Sequence, residues 1–183
     1  MKRPQSIRGE YERGGTTEFY RRHGSRYRNP HEPVVARVLG EAVKTWALDL
    51  ERVLDLACGS GEVTLALERL GAGTVVGVDP FTGAAYRRRT GRSAERISFE
   101  DIAAGALAAR RFSLIVCSFA LHLLEPSRLP TVAYQLSRVS DSLLVLTPHK
   151  RPAIKPAWGW TLAGELVLER VRARLHRAGS PGD

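Results

Sequence analysis

Apolar residues along this chain occur in short continuous runs, separated by stretches in which they recur every three or four positions. The continuous runs predict buried strands at 53–56, 73–79, 97–102, 112–117 and from 142 onward. The helical spacing predicts helices between them, including one over 126–137, and a first helix over 33–45. Strand and helix thus alternate four times before a fifth strand. This order predicts an α/β fold with a three-layer, doubly wound, mainly parallel sheet of about six to seven strands.

The two ends of the chain follow other patterns. Residues 1–33 are polar but carry several aromatics, and we expect a lid-like segment over the sheet edge with a short helix over 17–23. The main domain is expected to span 34–178, followed by a frayed tail over 179–183. Residues 170–176 alternate at period two and predict a strand, while a helix that starts at Leu162 is the competing interpretation.

Composition adds little to this architecture. The 183 residues suffice for one domain with an apolar core, and no apolar run is long enough to span a membrane. A polar start without a signal-peptide core favours a cytoplasmic location. The formal net charge of +9 is carried mostly by arginine, which makes RNA an alternative partner. The basic clusters lack the interleaved aromatics of a base-stacking surface, so we expect them to be solvated faces.

Small residues interrupt the apolar pattern directly after the first predicted strand, at Ala57, Gly59, Ser60 and Gly61. Such a turn lets a ligand lie against bare backbone, facing the positive end of the following helix. A dinucleotide fingerprint would need a third glycine where Thr64 stands, and the Gly-Lys-Ser/Thr of a phosphate-binding P-loop is absent. The ligand is therefore expected to be nucleotide-like but of another kind.

An acid closes the second predicted strand, at Asp79. In nucleotide-binding βαβ units an acid at this position accepts hydrogen bonds from ribose hydroxyls. The alternative is a helix cap, because Pro80, Phe81 and Thr82 follow and a helix is predicted over 82–89. The spacing from Asp55 favours the ribose interpretation.

The sequence Asp55-Leu56-Ala57-Cys58-Gly59-Ser60-Gly61 resembles the first motif of class I S-adenosylmethionine-dependent methyltransferases, with alanine at the first glycine position. The exit of the fourth predicted strand, from Ser118 to Leu124, resembles the fourth motif of the same family. The resemblance covers residues 53–150 and implies a Rossmann-like fold, S-adenosylmethionine as cofactor and methyl transfer as the reaction. The family usually ends in an antiparallel pair of strands. Here the tail after Pro156 is short, and one of that pair is expected to be reduced or missing.

The resemblance also implies a set of cofactor-binding residues. They are Tyr27, Asp55, Ala57, Cys58, Gly59, Gly61, Asp79, Pro80, Phe81, Asp101, Ile102, Ser118 and Phe119. Asp101 would bind the adenine amino group, with Phe81 and Ile102 on either side of the ring. Capping of a short helix over 103–109 is an equal alternative for Asp101. Tyr27, like Tyr20, resembles the aromatics with which small-molecule methyltransferases close over the cofactor.

Three histidines are candidate acid–base residues for methyl transfer. His122 and His149 leave strands that are neighbours in the family's sheet, and His31 joins them if the N-terminal segment folds over. Each of them taken alone could be a structural histidine instead. No metal site is expected, because the Glu-x-x-Glu-His sequence of metal-assisted RNA methyltransferases is replaced here by residues 118–122.

The sequence therefore predicts a methyltransferase for an acceptor that is a small molecule. An RNA methyltransferase is the alternative within the same chemistry. A non-catalytic, S-adenosylmethionine-binding regulatory protein is the alternative outside it, because no residue is an unmistakable catalytic base.

Overall fold

The computed structural model describes residue 18 and residues 21–179. Its centre is a six-stranded sheet in the order β2-β1-β3-β4-β6-β5. The strands are β1 Arg52–Leu56, β2 Thr74–Val78, β3 Leu114–Ser118, β4 Ser142–Thr147, β5 Trp160–Leu168 and β6 Val171–Ala178. The first four are parallel, and β6 runs antiparallel to both β4 and β5. This confirms the predicted α/β class and the mainly parallel sheet.

Helices cover both faces of the sheet and give the predicted three layers. They are α1 Glu32–Trp46, α2 Glu62–Arg69, α3 Gly83–Thr90, α4 Phe99–Ala103 and α5 Leu129–Ser137. One apolar cluster joins α1 and α2 to residues such as Val53 and Leu114, and a second joins α4 and α5 to Leu54, Ile115 and Trp160. Successive residues of a strand thus enter opposite clusters, as the pleat requires. No helix in the described part of the chain is long and apolar enough to cross a membrane.

The strand register brings the carboxyl ends of the parallel strands together. Leu56 pairs with Val78 of β2 and with Cys117 of β3, and Ser118 pairs with Leu146 of β4. In open α/β sheets this edge is where ligands bind. Gly59, Asp79, Ser118 and His149 therefore lie at or just beyond strand ends on the same edge of the sheet.

The predicted strand over 97–102 is wrong. Residues 99–103 form helix α4, and its start is fixed by reciprocal bonds between Ser98 and Asp101. Ser98 Oγ accepts from the backbone N of Asp101 at 3.1 Å, and Asp101 Oδ2 accepts from the backbone N of Ser98 at 2.8 Å. A helix over 103–109 is also wrong, because turns follow Ala103. Within the described residues, a single bridge from Glu95 to Val78 joins this segment to β2.

The C-terminal part of the described chain differs from expectation. The strand predicted over 170–176 is confirmed as β6, but a helix from Leu162 is wrong, and so is the expected loss of an antiparallel strand. Both strands of the pair are present, and β6 lies between β4 and β5. Of the predicted helix over 17–23, residues 18 and 21–23 are helical. Its other positions, Tyr20 among them, and the tail over 180–183 lie outside the described residues.

Candidate active site

The loop between β1 and α2 presents bare backbone because glycine occupies positions with positive φ. Gly59 has φ +55° and Gly61 has φ +90°. A β-carbon on Gly61 would lie 2.5 Å from Thr90 Cγ2, and one on Gly59 would lie 3.2 Å from Tyr27 Cε1. Ala57 adopts a φ of +55° despite its side chain. The small residues predicted from the sequence are therefore required by close approach as well as by backbone conformation.

Asp55 holds this loop in place from beneath. Its carboxylate is buried and accepts from the backbone N of Thr64 at 3.0 Å and from Thr64 Oγ1 at 2.6 Å. Burial raises the pKa of Asp55 to about 7, against the lowering effect of the Thr64 bonds. Thr64, which interrupts the dinucleotide fingerprint, is thus the partner that ties α2 to β1. The neighbouring Cys58 is buried, and its backbone N donates to the carbonyl of Val78 at 3.1 Å.

Asp79 caps the turn after β2, which is the alternative that the sequence allowed beside ribose binding. Its Oδ1 accepts from the backbone N atoms of Phe81 at 2.8 Å and Thr82 at 2.9 Å, which fixes the turn before α3. Its Oδ2 accepts from the backbone N of Gly59 at 3.3 Å. The side chain therefore joins the turn after β2 to the glycine loop after β1, and it lines the cavity described next.

A cavity of about 380 Å³ opens at this edge of the sheet. Nine of the thirteen predicted cofactor residues line it: Tyr27, Ala57, Gly59, Asp79, Pro80, Phe81, Ile102, Ser118 and Phe119. Asp101 is not among them. Its exposed carboxylate accepts hydrogen bonds from the backbone N and the hydroxyl of Ser98. These two bonds lower the pKa of Asp101, the backbone bond contributing more. The cavity is also lined by Ile97, Ser98 and Phe99, for which the sequence predicted only a strand.

A second cavity of about 20 Å³ lies beside the glycine loop. It shares Tyr27, Ala57, Gly59 and Ser118 with the larger cavity and is completed by other residues, namely Asn29, Asp55, Cys58, Glu62 and Val63. The hydroxyl of Ser118 is buried and has no hydrogen-bond partner among the residues that the structure describes. A buried polar atom of this kind is rare unless a ligand or water satisfies it. Gly61 lines neither cavity. Its lack of a side chain allows Thr90 to pack against the glycine loop.

Residues 24–31, which we call the strap, place Tyr27 against both cavities and Asn29 against the smaller one. The backbone N of Asn29 donates to Glu62 Oε1 at 3.0 Å. Arg89 continues this connection by pairing with Glu32, just after the strap, at 2.5 Å and with Glu62 at 3.2 Å. Glu62 was not predicted from the sequence. The available signal was an acid directly after the last glycine, at the start of the helix.

The three candidate histidines lie beside the larger cavity but do not line it. The rings of His122 and His149 are 4.7 Å apart, and His31 stacks on Phe119 at 5.3 Å. Burial, and then the charge of His149, lower the pKa of His122 to about 4, so this imidazole is neutral at pH 7. Phe119, on which His31 stacks, lines the larger cavity and adopts φ +55°. Among the described residues no group of three histidine, cysteine or acidic side chains could hold a metal ion.

Comparison with known proteins gives one family match and many structural matches. Residues 53–142 match the family described as "Methyltransferase domain". An uncharacterized protein of Schizosaccharomyces pombe is 33% identical over an alignment of 230 positions, which covers 96% of this chain and 93% of that protein.

Two solved structures are similar in fold at low sequence identity. Magnesium protoporphyrin IX methyltransferase from Synechocystis PCC 6803 with bound SAM has a TM-score of 0.59 and 18% identity, covering 98% of this chain and 100% of that chain. The N-methyltransferase NodS of Bradyrhizobium japonicum in complex with S-adenosyl-L-homocysteine also has a TM-score of 0.59, with 17% identity, covering 83% of this chain and 89% of that chain.

Proposed function

Because the chain belongs to the class I S-adenosylmethionine-dependent methyltransferase superfamily, we propose that it methylates a small molecule bound beside Phe119 and the His122–His149 pair. The acceptor carries an O–H, N–H or S–H group that must lose its proton. One observation carries the proposal: a neutral imidazole and an exposed imidazole lie in contact at the ends of β3 and β4, next to the cavity wall.

The cavity residues fit the cofactor. We assign Asp79 to the ribose hydroxyls and Phe81 and Ile102 to the two sides of the adenine ring, because all three line the larger cavity. The bare backbone of Gly59 and the buried hydroxyl of Ser118, which has no partner among the described residues, suit the remaining part of the cofactor. When bound, S-adenosylmethionine supplies an electrophilic methyl group on a positively charged sulfur. The chain must then align the acceptor, exclude water and remove one proton.

The histidine pair can take that proton. His149 is the exposed member of the pair, whereas His122 is partly buried, so we assign His149 as the base. His122 stays neutral at pH 7, so a proton arriving on His149 meets no second positive charge 4.7 Å away. His122 is then a positioning residue, and His31, stacked on Phe119, forms a further wall.

The strap supports a small acceptor rather than RNA. Its Tyr27 lies beside Gly59, the backbone N of its Asn29 donates to Glu62 of α2, and its Ser25 carbonyl accepts from Arg88 of α3, which narrows access to the cavity. The described chain forms one sheet with its helices and carries no separate RNA-binding module.

The test is methyl transfer from labelled S-adenosylmethionine to two fractions of a cell extract, one of low molecular weight and one of total RNA. We expect label in the first fraction. Replacement of His149 by asparagine should lower turnover by about 100-fold without changing cofactor affinity, while Lys150→Met serves as the neighbouring control. Labelled RNA with salt-sensitive binding would instead support the RNA alternative. Cofactor binding without label in either fraction would support a regulatory role.

A further inference from the structure

The acceptor proposed above lies at the ends of β3 and β4, and a third strand, β6, reaches the same edge of the sheet. β6 runs antiparallel to β4 and lies next to it, so its first residues stand beside the last residues of β4. The last pair of this ladder is Thr147 with Arg172. Two residues beyond that pair come His149 after β4 and Arg170 before β6. The turn that carries Arg170 therefore leaves the sheet on the side of the proposed base.

This turn between β5 and β6 is anchored to α1. Glu169 and Arg170 adopt φ angles of +48° and +67°. Arg37, in the second turn of α1, donates to the two carboxylate oxygens of Glu169 at 2.8 and 2.7 Å. Val171 enters the apolar cluster beneath the same helix. Because α1 begins directly after His31, the turn lies beside the helix that starts at the histidine group.

Arg170 differs from the next two arginines in the chain, because it has no acidic partner. Arg172 and Arg174 both pair with Glu165, at 2.9 and 2.6 Å. Arg170 is exposed and makes no ion pair with any residue that the structure describes. Residues 148–159, which follow β4 at this edge, contain no acid. The acceptor side of the site therefore has a positive potential that a bound anion would neutralise.

Two buried polar atoms lie between the cofactor cavity and this turn. They are Ser118 Oγ at the end of β3 and His122 Nδ1 just after it, and neither has a hydrogen-bond partner in the described part of the chain. The His122 ring lies against His149, which follows β4. Buried polar atoms without protein partners are usually satisfied by a ligand or by water. A ligand that extends from Ser118 past the histidine pair would satisfy both atoms and continue toward β6.

The strand spacing gives the length of such a ligand. Neighbouring strands of a sheet lie about 4.8 Å apart, and β6 is two strands away from β3. The turn that carries Arg170 is thus about 10 Å from the end of β3, measured across the sheet. A small molecule of this length has room for the methylated atom at one end and a charged group at the other.

We propose that the acceptor carries an oxyanion, a carboxylate or a phosphate, and that Arg170 binds it. The inference rests on the proposed function, whose acceptor site it extends. A guanidinium matches two oxygens of either group with two parallel N–H bonds. The same anion lies on the His149 side of the site, so it favours the positive charge that this base acquires with the proton of the acceptor.

The first experiment divides the low-molecular-weight fraction of a cell extract by anion exchange into a retained and an unretained pool. Each pool is incubated with the protein and labelled S-adenosylmethionine. We expect label in the retained, anionic pool. Phosphatase treatment of that pool then abolishes labelling if the oxyanion is a phosphate and leaves it unchanged if it is a carboxylate. Label in the unretained pool alone would overturn the inference.

Arg170→Met removes the charge and keeps an unbranched side chain. It should lower the initial rate on the retained pool by about 10- to 100-fold and leave the affinity for S-adenosylhomocysteine within about twofold. Arg170→Lys should recover part of the rate. Arg69→Met is the matched control, because Arg69 is exposed at the end of α2 far from the glycine loop. Equal rates for the parent protein and Arg170→Met would overturn the assignment.

A binding measurement separates failure of this inference from failure of the proposed function. Inorganic phosphate and, separately, benzoate are titrated into the ¹⁵N-labelled complex with S-adenosylhomocysteine, and the arginine Nε–H signals are followed by NMR. Loss of a signal in Arg170→Met identifies the one to follow. If neither pool is labelled, the proposed function fails and this signal decides alone. A saturable shift with one of the two probes supports the oxyanion site, and no shift with either overturns it.

Discussion

Ala57 and Phe119 adopt left-handed backbone conformations although neither is glycine. For such residues the conformation costs about 1–2 kcal/mol each. Both stand one position beyond the ends of neighbouring strands, β1 and β3, and both line the larger cavity. The backbone N of Phe119 donates to the carbonyl of Leu146 at 2.8 Å, which helps to hold it there. Two of the five non-glycine residues at positive φ in the described chain thus lie at the cavity wall.

Gly61 should be far less tolerant of a side chain than Gly71, although both have positive φ. A β-carbon at Gly71 meets nothing within 4 Å, whereas one at Gly61 overlaps Thr90. We expect Gly71→Ala to lower the free energy of unfolding by about 1 kcal/mol and Gly61→Ala by about 2–4 kcal/mol. Urea denaturation of both variants measures this. Equal losses of unfolding free energy in the two variants would show that Thr90 moves aside without a measurable cost.

His176 predicts a dependence of stability on pH. It is 3% exposed in β6, and burial lowers its pKa from 6.5 to about 4. The unfolded chain therefore takes up a proton below pH 6.5 that the folded chain accepts only near pH 4, so this residue destabilises the fold as the pH falls through that window. Relative to the parent, His176→Leu should gain stability as the pH falls from 7 to 4.5. A difference in unfolding free energy that stays constant over this range would contradict the assignment.

Asp79 allows its two suggested roles to be separated. Asp79→Ala removes acceptors for three backbone N–H groups and should cost about 1–3 kcal/mol of stability. If the carboxylate also binds ribose, the affinity for S-adenosylhomocysteine falls by about 10-fold or more. Asp79→Asn keeps an oxygen for Phe81 and Thr82, so it should recover most of the stability but not the affinity. Recovery of both would leave the turn as its only role.

Among the strands, those buried on both faces were predictable from the sequence, and the exposed edge strand was not. Strands β1, β3 and β4 are buried almost throughout, and their apolar runs are clear in the sequence. Strand β5 lies at the sheet edge and is largely exposed, so its sequence shows no such pattern. The turn to β6 is made by Glu169 and Arg170, both at positive φ, without the glycine or asparagine that would mark a hairpin.

Helix α4 was misassigned because alternation and capping compete in the same six residues. The apolar residues Ile97 and Phe99 alternate as in a strand, yet Ser98-x-x-Asp101 is the spacing of a capping box. The reciprocal bonds decided the outcome. The same bonds occupy Asp101, which explains why a residue that matches the family motif is absent from the cavity wall.

The strap should contribute to ligand binding more than to folding. Tyr27 touches both cavities and approaches the space above Gly59. We expect Tyr27→Ala to weaken S-adenosylhomocysteine by about 10-fold, mainly through faster dissociation, with little change in unfolding free energy. Tyr134→Ala is the matched control, because Tyr134 is 51% exposed on α5 and lines neither cavity. Equal effects of the two variants would show that the strap does not cover the ligand.

The molecule as a whole should be stabilised by its cofactor and not by NAD. Residues from β1, the loops after β2 and β3, α4 and the strap line one cavity, so a bound ligand opposes the unfolding of all of them together. At 100 times its Kd, S-adenosylmethionine should add about 2.7 kcal/mol to the free energy of unfolding. Thermal denaturation with either nucleotide tests this. Thr64 stands where a dinucleotide site needs a third glycine, so a rise in Tm with NAD would contradict the exclusion of such a site.

The placement of β6 has a consequence for how the protein is made. It follows the other five described strands in chain order, yet it lies inside the sheet, and Val171, Ala173 and Leu175 complete the cluster beneath α1. While a ribosome is still synthesising the chain, the edge of β4 stays unpaired, even after every residue lining the larger cavity has been added. A nascent chain therefore presents a bare, apolar strand until the β5–β6 hairpin emerges. Until then, the β4 edge is available for edge-to-edge pairing with another chain.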